Sequence, residues 1–162
     1  MPQDTMTARN TPIEAGDSAP DFTLTDQTRE EWTLADAVRK GDVVLCFYPM
    51  DFSPGCSSEM KCITQDMSTW ADKGATVVGI SCDSFFVHGA WAEAEGITQP
   101  LLADMHRQVC KAYGFYFEPL NVAARGTVVI GQSDSGEGKV KWVQAREIGD
   151  ARDLNEVVAQ IS

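Results

Sequence analysis

Lysine is scarce in this chain of 162 residues, where 13 basic side chains face 24 acidic ones and the net charge is −11. That shortage argues against a nucleic-acid binder, whose Lys and Arg clusters must neutralise phosphates. Long apolar runs are lacking too. None approaches the ~18 residues that a membrane helix needs, so no membrane association is expected. Residues 1–15 are polar, without the apolar centre of a secretion signal, and read as a loose lead to a protein of the cytoplasm. Cys-x2-Cys is missing, as is any paired Cys/His spacing of the zinc type. The five cysteines, at positions 46, 56, 62, 82 and 110, are an odd number. A disulfide-stapled secreted fold is not expected on that pattern, and at least one free thiol, as fits a reducing compartment, is.

The acidic residues are spread along the chain, not gathered in a tail. Such a surface suits a high-salt cytoplasm, where screening relieves self-repulsion, and equally an ordinary soluble acidic protein. A gain in stability in molar salt would mark the first.

What the chain does have begins at residues 43–48, an apolar run that reads as a buried strand. Pro49, Met50, Asp51, Phe52, Ser53, Pro54 and Gly55 break the chain, and a helical pattern starts at or just after Cys56. A cysteine at a strand-to-helix turn meets unpaired backbone N–H groups and the positive end of the helix dipole, which favour thiolate, the nucleophilic form. Downstream, Met60, Ile63, Met67 and Trp70 form one apolar stripe of a helix over 57–73, stopped by Gly74.

The remaining pattern gives a short hairpin from strands near 22–25 and 31–34, one or two helical turns at 34–38, and further strands at 75–81, 101–103, 126–130 and 140–145. Helices are expected from an N-cap at Asp83-Ser84 to Glu95, at 107–113 and at 152–161. Strand–helix–strand–helix order followed by a hairpin and a last helix predicts an α/β domain, with a central mixed sheet flanked by helices and an N-terminal hairpin extension. No repeat, linker or second domain interrupts 1–162. Cys56 lies just beyond a strand C-terminus, where sites form in such sheets.

Pro49, Ser53 and Cys56 stand in the pattern Pro-x3-Thr/Ser-x2-Cys, and with them the chain resembles the peroxiredoxin family, thioredoxin-fold peroxidases of the alkyl hydroperoxide reductase and thiol-specific antioxidant type. Residues 16–22, 79–84, 102–104, 112–114 and 125–130 match in order, the last bringing Arg125. The resemblance is to the one-Cys or bacterioferritin-comigratory-protein-like members. It departs at Ser57, where proline is common; serine also fits a first helical turn.

The resemblance implies a thiol-dependent peroxidase acting on hydrogen peroxide and organic hydroperoxides, with no metal, haem or flavin. Cys56 becomes a sulfenic acid, the first rung of thiol oxidation. Ser53 hydrogen-bonds peroxide or thiolate, Pro49 shields the sulfur, and the donor fork of Arg125 polarises the peroxide. Glu59 is the candidate that orients Arg125. Arg152 matches an arginine that some members place near the site; an exposed helix-start residue is the other reading. A lone cysteine is more often a small buried hydrophobe, but the Pro-Ser-Cys spacing and Arg125 favour the nucleophile. His88 and His106 have no partner spacing and receive no role.

Cys62 is the candidate resolving thiol, six residues and about 240° around the helix from Cys56. Joining the two would require unwinding the first turns. Cys46 and Cys110 read as packing residues, and burial is the favoured role for Cys82. Without a resolver, a thioredoxin-like or low-molecular-weight thiol would recycle the enzyme. A homodimer is expected; a ring with an intersubunit disulfide is not. Two alternatives stand beside the peroxidase. One is a thiol–disulfide oxidoreductase, disfavoured by the missing second thiol of a Cys-x2-Cys, and the other a non-enzymatic redox sensor or holdase.

Overall fold

Val43–Phe47 (β3) is buried at every position, as its unbroken apolar run requires of a strand covered on both faces. Its side chains alternate. Val43, Leu45 and Phe47 join one core cluster, whereas Val44, Cys46 and the next residue, Tyr48, join the other. The computed structural model, which describes residues 6–150 and 152–161, builds a seven-stranded mixed sheet around this strand.

Thr23–Thr25 (β1) and Glu31–Thr33 (β2) form the expected hairpin, and Leu34–Lys40 (α1) follows directly. Thr76–Ser81 (β4) runs parallel to β3, and Leu101–Ala103 (β5) runs parallel to β4. Tyr116–Phe117 (β6) and Val122–Ala123 (β7) make a separate small hairpin. Gly126–Ile130 (β8) pairs antiparallel with β3, and Val140–Ala145 (β9) with β8. The sheet order is β2-β1-β5-β4-β3-β8-β9.

Pro54–Gln65 (α2) and Met67–Asp72 (α3) occupy the stretch expected to be one helix. Asp66 interrupts it: its N–H is shared between the carbonyls of Cys62 and Ile63, both at 3.1 Å, and its backbone leaves helical geometry. Aspartate competes for backbone groups and is a poor interior helix former. Met60, Ile63 and Trp70 still face one core, so the stripe survives the break. Phe85–Glu95 (α4) is capped by Ser84, whose side chain accepts from Val87 N, and ends at left-handed Gly96. Gln108–Ala112 (α5) and Leu154–Val158 (α6) are shorter than their sequence patterns. The β6–β7 hairpin, which the sequence reading does not include, turns through Glu118–Leu120 and left-handed Asn121.

The loose lead expected at 1–15 is anchored over its described part. Arg9 N and Ile13 N donate to the carbonyls of Lys111 and Tyr113, and Ile13 is buried against α5; residues 1–5 lie outside the described residues. Among the described residues, no helix is long and apolar enough to cross a membrane.

The anchor depends on Gly114, which has φ +77° and whose added Cβ would fall 2.0 Å from the Thr11 carbonyl oxygen. Gly114→Ala should lower stability by at least about 1–3 kcal/mol in urea titration. Gly149→Ala, where a Cβ meets nothing within 4 Å, should stay within about 0.5 kcal/mol of the parent.

Candidate active site

The helix that carries Cys56 starts two residues earlier than its pattern suggested, with Pro54 in the first turn and extended Ser53 as N-cap. Proline fits there because its missing N–H would be unpaired anyway. Cys56 therefore sits inside the first turn of α2, fully buried, with its sulfur in the core cluster of Val44, Cys46, Met60 and Trp91. Ser57 N donates to Ser53 O at 2.9 Å and closes that turn.

Arg125 comes to the sulfur from the opposite direction. It immediately precedes β8, and the antiparallel register sets Gly126 beside Phe47 at the end of β3. Its Nη2 donates to Cys56 Sγ at 3.3 Å, its Nη1 to Glu59 Oε1, and its Nε to the Ile148 carbonyl at 3.2 Å. The second oxygen of Glu59 accepts from the Arg152 amide at 2.5 Å and from Arg152 Nε at 3.1 Å. Arg152 also donates to Phe47 O, Gly126 O and Thr127 Oγ1 at 2.7, 3.1 and 3.1 Å. Of its two sequence readings, an arginine near the site and an exposed helix start, the structure shows the first, with Arg152 buried against Glu59. Glu59, one turn beyond Cys56, is gripped by both guanidinium groups, all of them buried. Charge-assisted bonds of this kind hold geometry more firmly than neutral ones.

Pro49 is buried in the loop between β3 and α2, and Ser53 is half-buried with its hydroxyl donating to Met50 O at 3.1 Å. A buried polar set anchors this loop from beneath. Asp51 accepts from Tyr48 Oη at 2.7 Å and lies 2.5 Å from His88 Nδ1, while His88 Nε2 meets the Leu102 carbonyl at 3.1 Å. The Asp51 amide donates to Asp83 Oδ2 at 2.9 Å, and the same oxygen accepts from Ser81 Oγ at 2.6 Å. Burial raises the Asp51 carboxyl above its ordinary value, although His88 and Tyr48 oppose it. Burial, with the Asp51 carboxylate adjacent, pushes Tyr48 well above the phenol value, so it serves as a standing donor.

His88, to which no role was given, thus fastens the loop that carries Pro49 and Ser53. Its partner lies 37 residues away, and no local spacing could have announced it. Trp91 is a further unexpected neighbour: its indole donates to Ser57 Oγ at 2.9 Å, using the hydroxyl where the family often has proline.

Cys62 is exposed on the outer side of α2. Beside it lies a shallow hollow of about 350 Å³ lined by Pro54, Ser57, Cys62, Gln65 and Glu95; Cys56 does not line it. Cys46 and Cys110 are buried, and Cys82 is half-buried in the cluster across the sheet from Cys56. His106 takes no part in the site.

Residues 15–143 match the model of the AhpC/TSA family. The chain is 32% identical over 143 residues to alkyl hydroperoxide reductase E of Mycobacterium tuberculosis, covering 87% of this chain and 91% of that protein. Among solved structures it is similar to peroxidoxin BcpB of M. tuberculosis, with a TM-score of 0.80, 29% identity and coverage of 91% and 96%. It is similar as well to the reduced 2-Cys peroxiredoxin of Plasmodium vivax, with a TM-score of 0.80, 26% identity and coverage of 91% and 79%.

Removing Arg152 would leave Glu59 half-paired and the Phe47 and Gly126 carbonyls without this donor. Arg152→Met should cost about 3–5 kcal/mol of stability in urea unfolding, the range for breaking a buried ion pair from one side.

Proposed function

The chain belongs to the AhpC/TSA family and is a thiol-dependent peroxidase, and from that premise we propose that Cys56 is its peroxidatic sulfur, served by Arg125, Ser53, Pro49 and Glu59. The observation that carries the assignment is the contact of Arg125 Nη2 with Cys56 Sγ at 3.3 Å, made by a guanidinium whose other Nη is held on Glu59.

The sulfur attacks one peroxide oxygen, the S–O bond forms as the O–O bond breaks, and the other oxygen leaves as hydroxide or alkoxide. Arg125 is set to stabilise negative charge as it moves from sulfur to that leaving oxygen, which is where preorganised donors contribute most to rate. Ser53 supplies a hydroxyl at the N-cap that can turn from Met50 O to a bound peroxide. Pro49 excludes water from one side. Glu59 and the buried Arg152 fix the plane of Arg125 and act as positioning residues. The product on the enzyme is Cys56 sulfenic acid, and its substrates are hydrogen peroxide and organic hydroperoxides.

An external thiol, thioredoxin-like or of low molecular weight, returns the sulfenic acid to thiol. This one-Cys cycle is favoured over resolution by Cys62 because six helical residues rise about 9 Å. Disulfide-linked Cα atoms lie within about 7 Å of each other. The five free cysteines suit a cytoplasmic setting. A homodimer would cover Met50, Phe52 and Phe86, large apolar side chains left 40%, 52% and 63% exposed.

Cys56→Ser should abolish peroxide reduction in a coupled assay, and activity retained by that variant would overturn the assignment. Arg125→Met should lower kcat/KM by roughly 10²–10³, the range for losing one preorganised donor. Intact-mass analysis after peroxide should find Cys56 as sulfenic acid, trapped by dimedone. A Cys56–Cys62 disulfide would instead establish the two-Cys cycle.

A further inference from the structure

Two thiols play no part in the chemistry at Cys56, and they touch each other. Cys82 Sγ and Cys110 Sγ lie 3.8 Å apart. Cys82 occupies the bend just after β4, and Cys110 lies on α5, 28 residues later. Both pack in the cluster that includes Phe47 and Val109, across the sheet from Cys56 and Cys46. The pair is therefore a separate thiol centre, outside the peroxidatic site.

We propose that Cys82 and Cys110 form a second redox centre, a dithiol that hydroperoxide converts into an intramolecular disulfide. A disulfide bond is about 2.05 Å long, so the sulfurs need close by only about 1.8 Å. They come from different elements whose side chains already converge, and one of those elements is a bend, free of sheet pairing at Cys82.

The two thiols are not equivalent. Cys82 is half-buried, whereas Cys110 is fully buried and donates to the Arg107 carbonyl at 3.4 Å. The hydrogen bond with Cys82, burial and the nearby Asp104 hold the Cys110 thiol far above its ordinary value, so it keeps its proton in the resting pair. The order of events follows. Cys82, as thiolate, attacks a peroxide oxygen; its S–O bond forms, the O–O bond breaks, and the departing oxygen leaves as alcohol or water after taking a proton. Cys110 sulfur then attacks the Cys82 sulfenic acid. The S–S bond forms, the S–O bond breaks, and hydroxide leaves as water with the Cys110 proton. Two thiols lose two electrons in total, and one peroxide becomes one alcohol and one water.

Asp104 completes the centre. An oxygen of its carboxylate lies within 4.8 Å of both sulfurs. Backbone N–H groups of Val109 and Cys110 hold its two oxygens at 3.2 and 2.8 Å. Burial raises its carboxyl above the usual range, which makes the carboxylate a better acceptor for the proton that Cys110 must give up.

The test uses a Cys56→Ser/Cys62→Ser protein, which keeps three of the five cysteines. It is exposed to hydrogen peroxide for long enough to oxidise Cys56 fully in a parallel wild-type sample. The thiols are then counted in denaturant and the tryptic peptides mapped without reductant. The count should fall from three to one, with a Cys82–Cys110 bridge that dithiothreitol reverses. Three thiols remaining, or a bridge through Cys46, would overturn the proposal. In a Cys110→Ser background the first step should stop at a Cys82 sulfenic acid captured by dimedone. Because neither measurement uses turnover at Cys56, it succeeds or fails independently of the peroxidatic assignment.

Discussion

The buried carboxylate of Glu59 is the constraint on which the site rests. Two guanidinium groups, Arg125 and Arg152, reach it from opposite flanks, and it is the carboxylate paired with each. Two positive charges against one negative leave one charge to be balanced inside a nearly dry cluster. The next acceptor along Arg125 is the Cys56 sulfur. An anion at that position would bring the cluster to neutrality. Burying charge is costly unless it is paired, so the two arginines favour negative charge at that position, which is where the proposed attack on peroxide would place it. Arg152 never touches the sulfur, yet through its bonds to Phe47, Gly126 and Thr127 it locks the carboxylate to the ends of β3 and β8.

Much of this could be read from residue order. The apolar run of 43–48 and its turn marked β3 and the mouth of the site, and the spacing of Pro49, Ser53 and Cys56 picked out the loop. Arg125 was legible only through the family pattern, since nothing local in 125–130 points to a sulfur 69 residues earlier. The break at Asp66 was hidden because the apolar stripe runs through it: the stripe reports which face is buried, not whether the backbone hydrogen bonds are continuous. His88 shows the other limit. Its meaning lies in Asp51 and Leu102, partners supplied by tertiary packing of α4 on the sheet. A single histidine carries no trace of them in sequence.

The sheet also divides the thiols. Alternation along β3 sends Cys46 and Tyr48 to the face that holds Cys56, and Phe47 to the face that holds Cys110. A period of two therefore keeps the fully buried Cys56 sulfur and the Cys82–Cys110 contact in different cores. The two centres still share a boundary. Cys82 is followed by Asp83, whose carboxylate holds the Asp51 amide, and Asp51 in turn is pinned by Tyr48 and His88.

Full burial of Cys56 bears on the second half of the proposed cycle. In the proposed cycle, a thiol attacking in line with the S–O bond needs room that a closed helical turn does not give. The turn is closed by Ser57 N on Ser53 O, and α4 braces it through Trp91 on the Ser57 hydroxyl. Glu59, in contrast, is fixed by both arginines. Opening between Pro54 and Ser58 would break the two neutral bonds of Ser57 and the Arg125 contact to Cys56, and it would stop at Glu59, which two buried guanidinium groups hold. Proline at position 57 would offer neither the N–H nor the hydroxyl. Serine there lends the first turn two bonds, which in the proposed one-Cys cycle would have to break before an external thiol could reach the sulfur.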